Sequence, residues 1–199
     1  LFPQKFSCSA TLMIMGDMDL KQIAFVIGGC RSGKSGYALR YADSLAADAK
    51  IFLATCQPED DEMRLRVKNH QKERGDNWQA IEVPLDLPEA ILEHSRTGTV
   101  ILADCLTMWI SNLMMAEYTT EAIEAKIDAL CAALENTAAT VVLVSNEVGT
   151  GIVPENALAR AYRDLVGTAN QRMAAVADMV VITVAGIGVT IKPSERPAL

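Results

Sequence analysis

A three-layer α/β fold, with helices on both faces of a mostly parallel β-sheet and room for one antiparallel strand at an edge, is what this sequence predicts. Two observations predict it. Apolar, β-branched runs recur along the chain with helix-like stretches between them, and the first run leads directly into G-x-x-x-x-G-K-S at residues 28–35. Strand alternating with helix gives a parallel sheet buried on both sides. A glycine-rich loop between the first strand and a helix makes the arrangement P-loop NTPase-like.

The elements follow in order. Ile23 to Ile27 is five apolar residues without a break, the pattern of a buried central strand. Gly28, Gly29, Cys30, Arg31, Ser32, Gly33, Lys34 and Ser35 then form the loop. Glycine lets the backbone turn its N–H groups onto a polyphosphate. Lys34 supplies a point charge for the β- and γ-phosphates, and the Ser35 hydroxyl suits Mg²⁺. A glycine-rich β–α turn that binds nothing would share the spacing, but the apolar strand before it and the helix after it are the setting of a phosphate loop. Tyr37, Ala38, Leu39, Tyr41 and Ala42 fit the following helix, whose N-terminus faces the anion. Further strands are expected at Ile51 to Ala54, Thr99 to Ala103, Thr140 to Val144 and Met179 to Val184, with weaker edge candidates at Trp78 to Val83 and Val189 to Ile191.

A helix is expected from Glu155 to about Ala177. Leu158, Tyr162, Leu165, Ala169 and Val176 share one side of it, as core packing or a subunit contact would require. Gly167 within it suggests close approach by another segment. His94, near the end of an earlier helix, reads as a C-terminal cap.

Composition narrows the function. The chain has 199 residues, half of them hydrophobic, and a formal net charge of -7. It is expected to form one nucleotide-binding catalytic domain over residues 21–192, between a poorly ordered extension at 1–20 and a tail at 193–199. The negative charge argues against a general nucleic-acid or anionic-membrane surface, and no apolar run is long enough for a membrane span. The five cysteines, Cys8, Cys30, Cys56, Cys105 and Cys131, are widely spaced. They read as buried, reduced thiols of a cytoplasmic protein.

Ligands of such sheets gather at the carboxyl ends of the strands. The residues just after each run are therefore the candidate site: the glycine loop, then Thr55, Cys56 and Gln57, then Asp104, then Asn146, Glu147 and Gly149. Asp104 is placed to share Mg²⁺ with Ser35, the favoured reading, though an aspartate there could also cap a helix. The loop around Glu147 could hold substrate or simply turn. On an expected helix from Asp61 to Arg74, His70 is flanked one turn away by Arg66 and Arg74. Two guanidinium groups favour the neutral, nucleophilic imidazole and could hold a phosphate against it. A solvated face with Glu62 paired to Arg66 explains the same residues, and on them alone it is the plainer reading.

The chain resembles the bifunctional adenosylcobinamide kinase / adenosylcobinamide-phosphate guanylyltransferase family of cobalamin biosynthesis. The resemblance rests on the loop at 28–35, Asp-Asp-Glu-Met at 60–63 leading to His70, Asp-Cys-Leu-Thr at 104–107 with Asn112, and Ser-Asn-Glu-Val-Gly-Thr-Gly-Ile-Val-Pro-Glu-Asn at 145–156. It extends from about Ile23 to Lys192. Asn69 stands where relatives carry a second histidine, which leaves His70 as the one candidate nucleophile.

The resemblance implies two reactions. ATP or GTP phosphorylates the hydroxyl of adenosylcobinamide's aminopropanol arm, and GTP then guanylylates the phosphate through a guanylyl-histidine on His70. The expected products are adenosylcobinamide phosphate and adenosyl-GDP-cobinamide. It also implies nucleotide contacts from Gln71, Lys72, Glu73, Arg74 and Glu82, catalytic roles for His70 and Lys34, and a cytoplasmic homotrimer; the charge balance already speaks against a nucleic-acid partner. A P-loop kinase or ATPase without guanylyl transfer, or a non-catalytic guanine-nucleotide-binding module, would need only the loop and Asp104.

Overall fold

The computed structural model describes residues 21–56, 75 and 77–193. The expected extension at 1–20, the helix at 61–74 with Arg66, His70 and Arg74, and residues 194–199 lie outside it, as do Gln57, Gln71, Lys72 and Glu73.

Every apolar run is a strand. β1 (Ile23–Gly28), β2 (Ala49–Ala54), β3 (Gln79–Glu82), β4 (Thr99–Asp104), β5 (Thr140–Asn146), β6 (Met179–Val184) and β7 (Ile187–Lys192) form one seven-stranded sheet ordered β3-β2-β4-β5-β1-β6-β7. All neighbours run parallel except β6 and β7, which form an antiparallel hairpin. Both weak candidates are the sheet's edges, where fewer apolar residues are needed because one side meets no strand.

Period-two alternation divides the core between the two faces. Ile23, Phe25 and Ile27 of β1 join Leu53, Ile101, Val141 and Leu143 on one face, under α2 (Leu87–Glu93), α3 (Leu106–Met115), α4 (Thr120–Asn136) and α5 (Ala157–Val176). Ala24 and Val26 face the other way with Phe52, Leu102, Val142 and Val144, against Ala38 and Ala42 of α1 (Lys34–Ser44). Trp109 and Leu113 of α3, with Leu130 of α4, are fully buried in the first cluster. Side chains of this kind contribute about 1.5–3 kcal/mol each by leaving water.

Several local expectations are corrected. The last helix starts at Ala157, not Glu155, because the Asn156 side chain accepts from the Ala159 N–H and caps it. Leu165 and Ala169 are buried as expected, but Leu158, in the first turn, is 60% exposed. A Cβ built on Gly167 meets nothing within 4 Å, so no described segment makes the expected close approach. Of the cysteines, Cys105 is buried, Cys56 and Cys131 are half-buried, and Cys30 is exposed because it lies on the turn of the glycine loop. His94 is the C-cap of α2, donating its backbone N–H to Ala90 O.

Candidate nucleotide-binding site

Gly28, Ala54, Glu82, Asp104 and Asn146 are each the last residue of a parallel strand, so they line one end of the sheet. Register pairs Gly28 with Asn146 and Asp104 with Val144, which puts β5 between the loop strand and the Asp104 strand. Glu82 pairs with Ala54 farther out and is exposed.

The glycine loop is built to fixed dimensions. Gly33 sits at φ 88, and a Cβ there would lie 2.9 Å from the Gly186 Cα. Only glycine fits both the angle and the gap. A Cβ on Gly28 would collide with Thr183 Oγ1 and Ser32 Oγ. Those two hydroxyls bond each other at 2.8 Å, Thr183 also donates to Ile27 O, and Gly186 N donates to Ser32 O at 2.8 Å. The β6–β7 hairpin thus braces the loop from behind. Lys34 Nζ reaches back to Gly29 O at 3.1 Å, which holds its charge across the loop's mouth. Ser35 lies in the first turn of α1, whose N-terminal N–H groups favour an anion.

Asp104 does not cap a helix. The N-cap of α3 is Cys105, and no side-chain cap bond is made there. Asp104 ends β4 half-buried, and its charge is felt locally. Burial first, and then the Asp104 carboxylate, raise the thiol of Cys56 and push that of Cys105 up to about 11. Thr55 is fully buried, and its hydroxyl accepts from Cys105 N at 2.7 Å and donates to Cys105 O at 2.8 Å. Thr55 therefore fixes the turn that presents Asp104. Asn112 strengthens the same corner by donating to Thr55 O and Pro84 O.

A serine hydroxyl and an aspartate carboxylate match the protein share of an Mg²⁺ shell that phosphates and water complete. Among the described residues, no group of three or more His, Cys, Asp or Glu could hold a metal.

β5 delivers the remaining polar groups. Glu147 N donates to Gly28 O at 3.0 Å, tying its loop to the glycine loop, while its carboxylate accepts from Gly149 N at 2.6 Å and closes a local turn. The Arg163 guanidinium donates to Gly149 O, and Arg160 donates to Pro154 O and Glu155 O, so α5 pins the segment at both ends. The Asn146 Nδ2 donates to Thr107 Oγ1, Asn170 Nδ2 donates to Asn146 O, and Ser145 donates to Asn170 Oδ1. Thr183 has no counterpart in the sequence reading, and Thr107 enters it only as the end of Asp-Cys-Leu-Thr, with no support of the 145–151 loop assigned to it. A lone threonine carries no sign of which loop it will support.

Among described residues no helix is long and apolar enough to cross a membrane. The chain matches the sequence profile of a family described as cobinamide kinase / cobinamide phosphate guanyltransferase over residues 24–191. It is 40% identical over 181 residues to the bifunctional adenosylcobalamin biosynthesis protein CobU of Escherichia coli, covering 84% of this chain and 98% of that one. The protein of the same name from Salmonella typhimurium is 42% identical with the same coverage. CobP of Pseudomonas aeruginosa, also described as a bifunctional adenosylcobalamin biosynthesis protein, is 35% identical over 84% of this chain and 95% of its own. Among solved structures, the type III secretion ATPase EscN of enteropathogenic E. coli superposes with a TM-score of 0.55 at 8% identity, over 83% of this chain and 43% of that one. That likeness concerns the fold.

Proposed function

The chain belongs to the cobinamide kinase / cobinamide phosphate guanyltransferase family, and from that membership we propose how its residues divide the two transfers. It is a transferase that phosphorylates cobinamide and guanylylates cobinamide phosphate. One catalytic unit, residues 21–192, serves both steps. The backbone of Gly28 to Ser35 and the Lys34 ammonium hold the triphosphate of ATP or GTP, with Ser35 and Asp104 as the ligands of Mg²⁺, which would neutralise phosphate charge. Cys56, Glu82 and the 71–74 stretch are assigned to the nucleotide, while Thr55 acts through its hold on the Asp104 turn.

In guanylyl transfer, a nitrogen of the neutral His70 imidazole forms a bond to the α-phosphorus while the bond to the bridging oxygen breaks and pyrophosphate leaves. Arg66 and Arg74 offset the charge that develops. A phosphate oxygen of cobinamide phosphate then attacks the same phosphorus and frees the imidazole. Splitting the exchange into two displacements lowers each barrier. The protein acts as a cytoplasmic homotrimer.

The observation that carries the reading is the braced glycine loop with Lys34 inside it and Asp104 two strands away on the same sheet end. The test is GTP labelled on its α-phosphate. Acid-labile label should stay on the denatured protein and be absent from His70→Ala. Label absent from the wild type, or equal in both proteins, overturns the histidine assignment.

A further inference from the structure

The side-chain oxygen of Asn146 stands out among the polar atoms of the site. Oδ1 is fully buried and has no hydrogen-bond partner, the one such side-chain atom among the described residues. Leaving a buried amide oxygen unmet costs on the order of 1–3 kcal/mol, so such an atom calls for an explanation. Its amide is not adrift. Nδ2 is anchored on Thr107 Oγ1, Thr107 O in turn accepts from the Tyr162 hydroxyl at 3.3 Å, and the Asn146 backbone carbonyl is held by Asn170. The position is equally defined. Asn146 ends β5 beside Gly28, with the Asp104 strand on its other side.

An amide oxygen needs a hydrogen-bond donor. Phosphate oxygens and the Asp104 carboxylate are acceptors and would repel it, and Lys34 Nζ is directed to Gly29 O. The cobinamide kinase reaction brings a donor to this sheet end: the alcohol that receives the phosphoryl group. We infer that Asn146 Oδ1 accepts a hydrogen bond from the acceptor hydroxyl of cobinamide and orients its oxygen lone pair toward the γ-phosphorus. The inference rests on the kinase reading of the site. The new bond joins the hydroxyl oxygen to the γ-phosphorus, the bond to the β–γ bridging oxygen breaks, and the nucleoside diphosphate leaves. The hydroxyl proton departs to water, because an amide orients the alcohol without acting as its base.

The role separates two acceptors of the same phosphoryl group. Asn146→Leu keeps the branched framework and removes the polar atoms of the amide, Oδ1 among them, while Thr107→Val keeps the amide and removes its anchor. For each protein, phosphoryl transfer to cobinamide, background hydrolysis of the triphosphate by water, and magnesium-nucleotide affinity are measured together. Asn146→Leu should lose about 10- to 100-fold in transfer, the scale of a misoriented reactant, with hydrolysis and nucleotide affinity within about threefold of wild type. Thr107→Val should shift the transfer-to-hydrolysis ratio the same way by a smaller factor. An unchanged ratio in both variants overturns the inference, as does a parallel loss of nucleotide affinity, which would place Oδ1 on metal-bound water. Wild-type transfer to cobinamide reports on the kinase reading itself, and the ratio between variant and wild type reports on Asn146.

Discussion

Cys105 shows how one residue under the site couples burial to charge. Its thiol is enclosed behind Asp104, and burial followed by the carboxylate's charge raises its pKa to about 11, so it remains a neutral thiol across the working pH range. A raised acid pKa means that the folded state holds its proton after the unfolded state has lost it. The stability it contributes is present below about pH 9 and falls as pH rises toward 11, by at most about 2–3 kcal/mol. Urea titrations at pH 8 and pH 10.5 should show a larger drop for wild type than for Cys105→Ala. Equal drops would show that the thiol has an ordinary pKa. In the folded protein Cys30, exposed on the glycine loop, should alkylate well before Cys105.

The strand-loop-helix element from β1 to α1 depends on a partner that lies remote in sequence. Gly33 occupies a left-handed angle and touches Gly186 of the β6–β7 turn, whereas a Cβ on Gly29 would meet nothing within 4 Å. Two alanine substitutions four residues apart should therefore behave differently. Gly33→Ala should lose about 1–3 kcal/mol in chemical denaturation and weaken triphosphate binding at least tenfold. Gly29→Ala should stay within about 0.5 kcal/mol of wild type. The hairpin also presses on α1, where any side chain at Gly188 would overlap the Tyr37 ring. Both ends of the phosphate cradle are thus braced by the one antiparallel pair in the sheet.

At the scale of the molecule, the larger core lies on the face that carries α2 to α5, and Trp109 is its largest fully buried side chain. Its indole N–H donates to Leu85 O at 2.8 Å, and its helix follows directly on Asp104. Trp109→Ala should cost about 3–5 kcal/mol in the urea midpoint, a large part of the stability of a domain this size. A change below about 1 kcal/mol would mean that this cluster does not anchor the Asp104 strand end. Most of the architecture was legible in the chain itself. Continuous apolar, β-branched runs marked five strands and, more weakly, the two edge strands, and Gly28 to Ser35, Asp104 and the 145–151 loop were readable as strand-end chemistry because run, turn and cap are written in neighbouring residues. Gly167 and the start of the last helix were misjudged because contact and capping depend on what stands opposite. Only the tertiary structure decided the order β3-β2-β4-β5-β1-β6-β7, the brace of Thr183 and Gly186 behind the loop, and the unmet Asn146 oxygen between Gly28 and Asp104. The reason is physical: local sequence fixes a strand's periodicity and its turns, whereas its neighbours in the sheet are chosen by the burial that the whole chain achieves together.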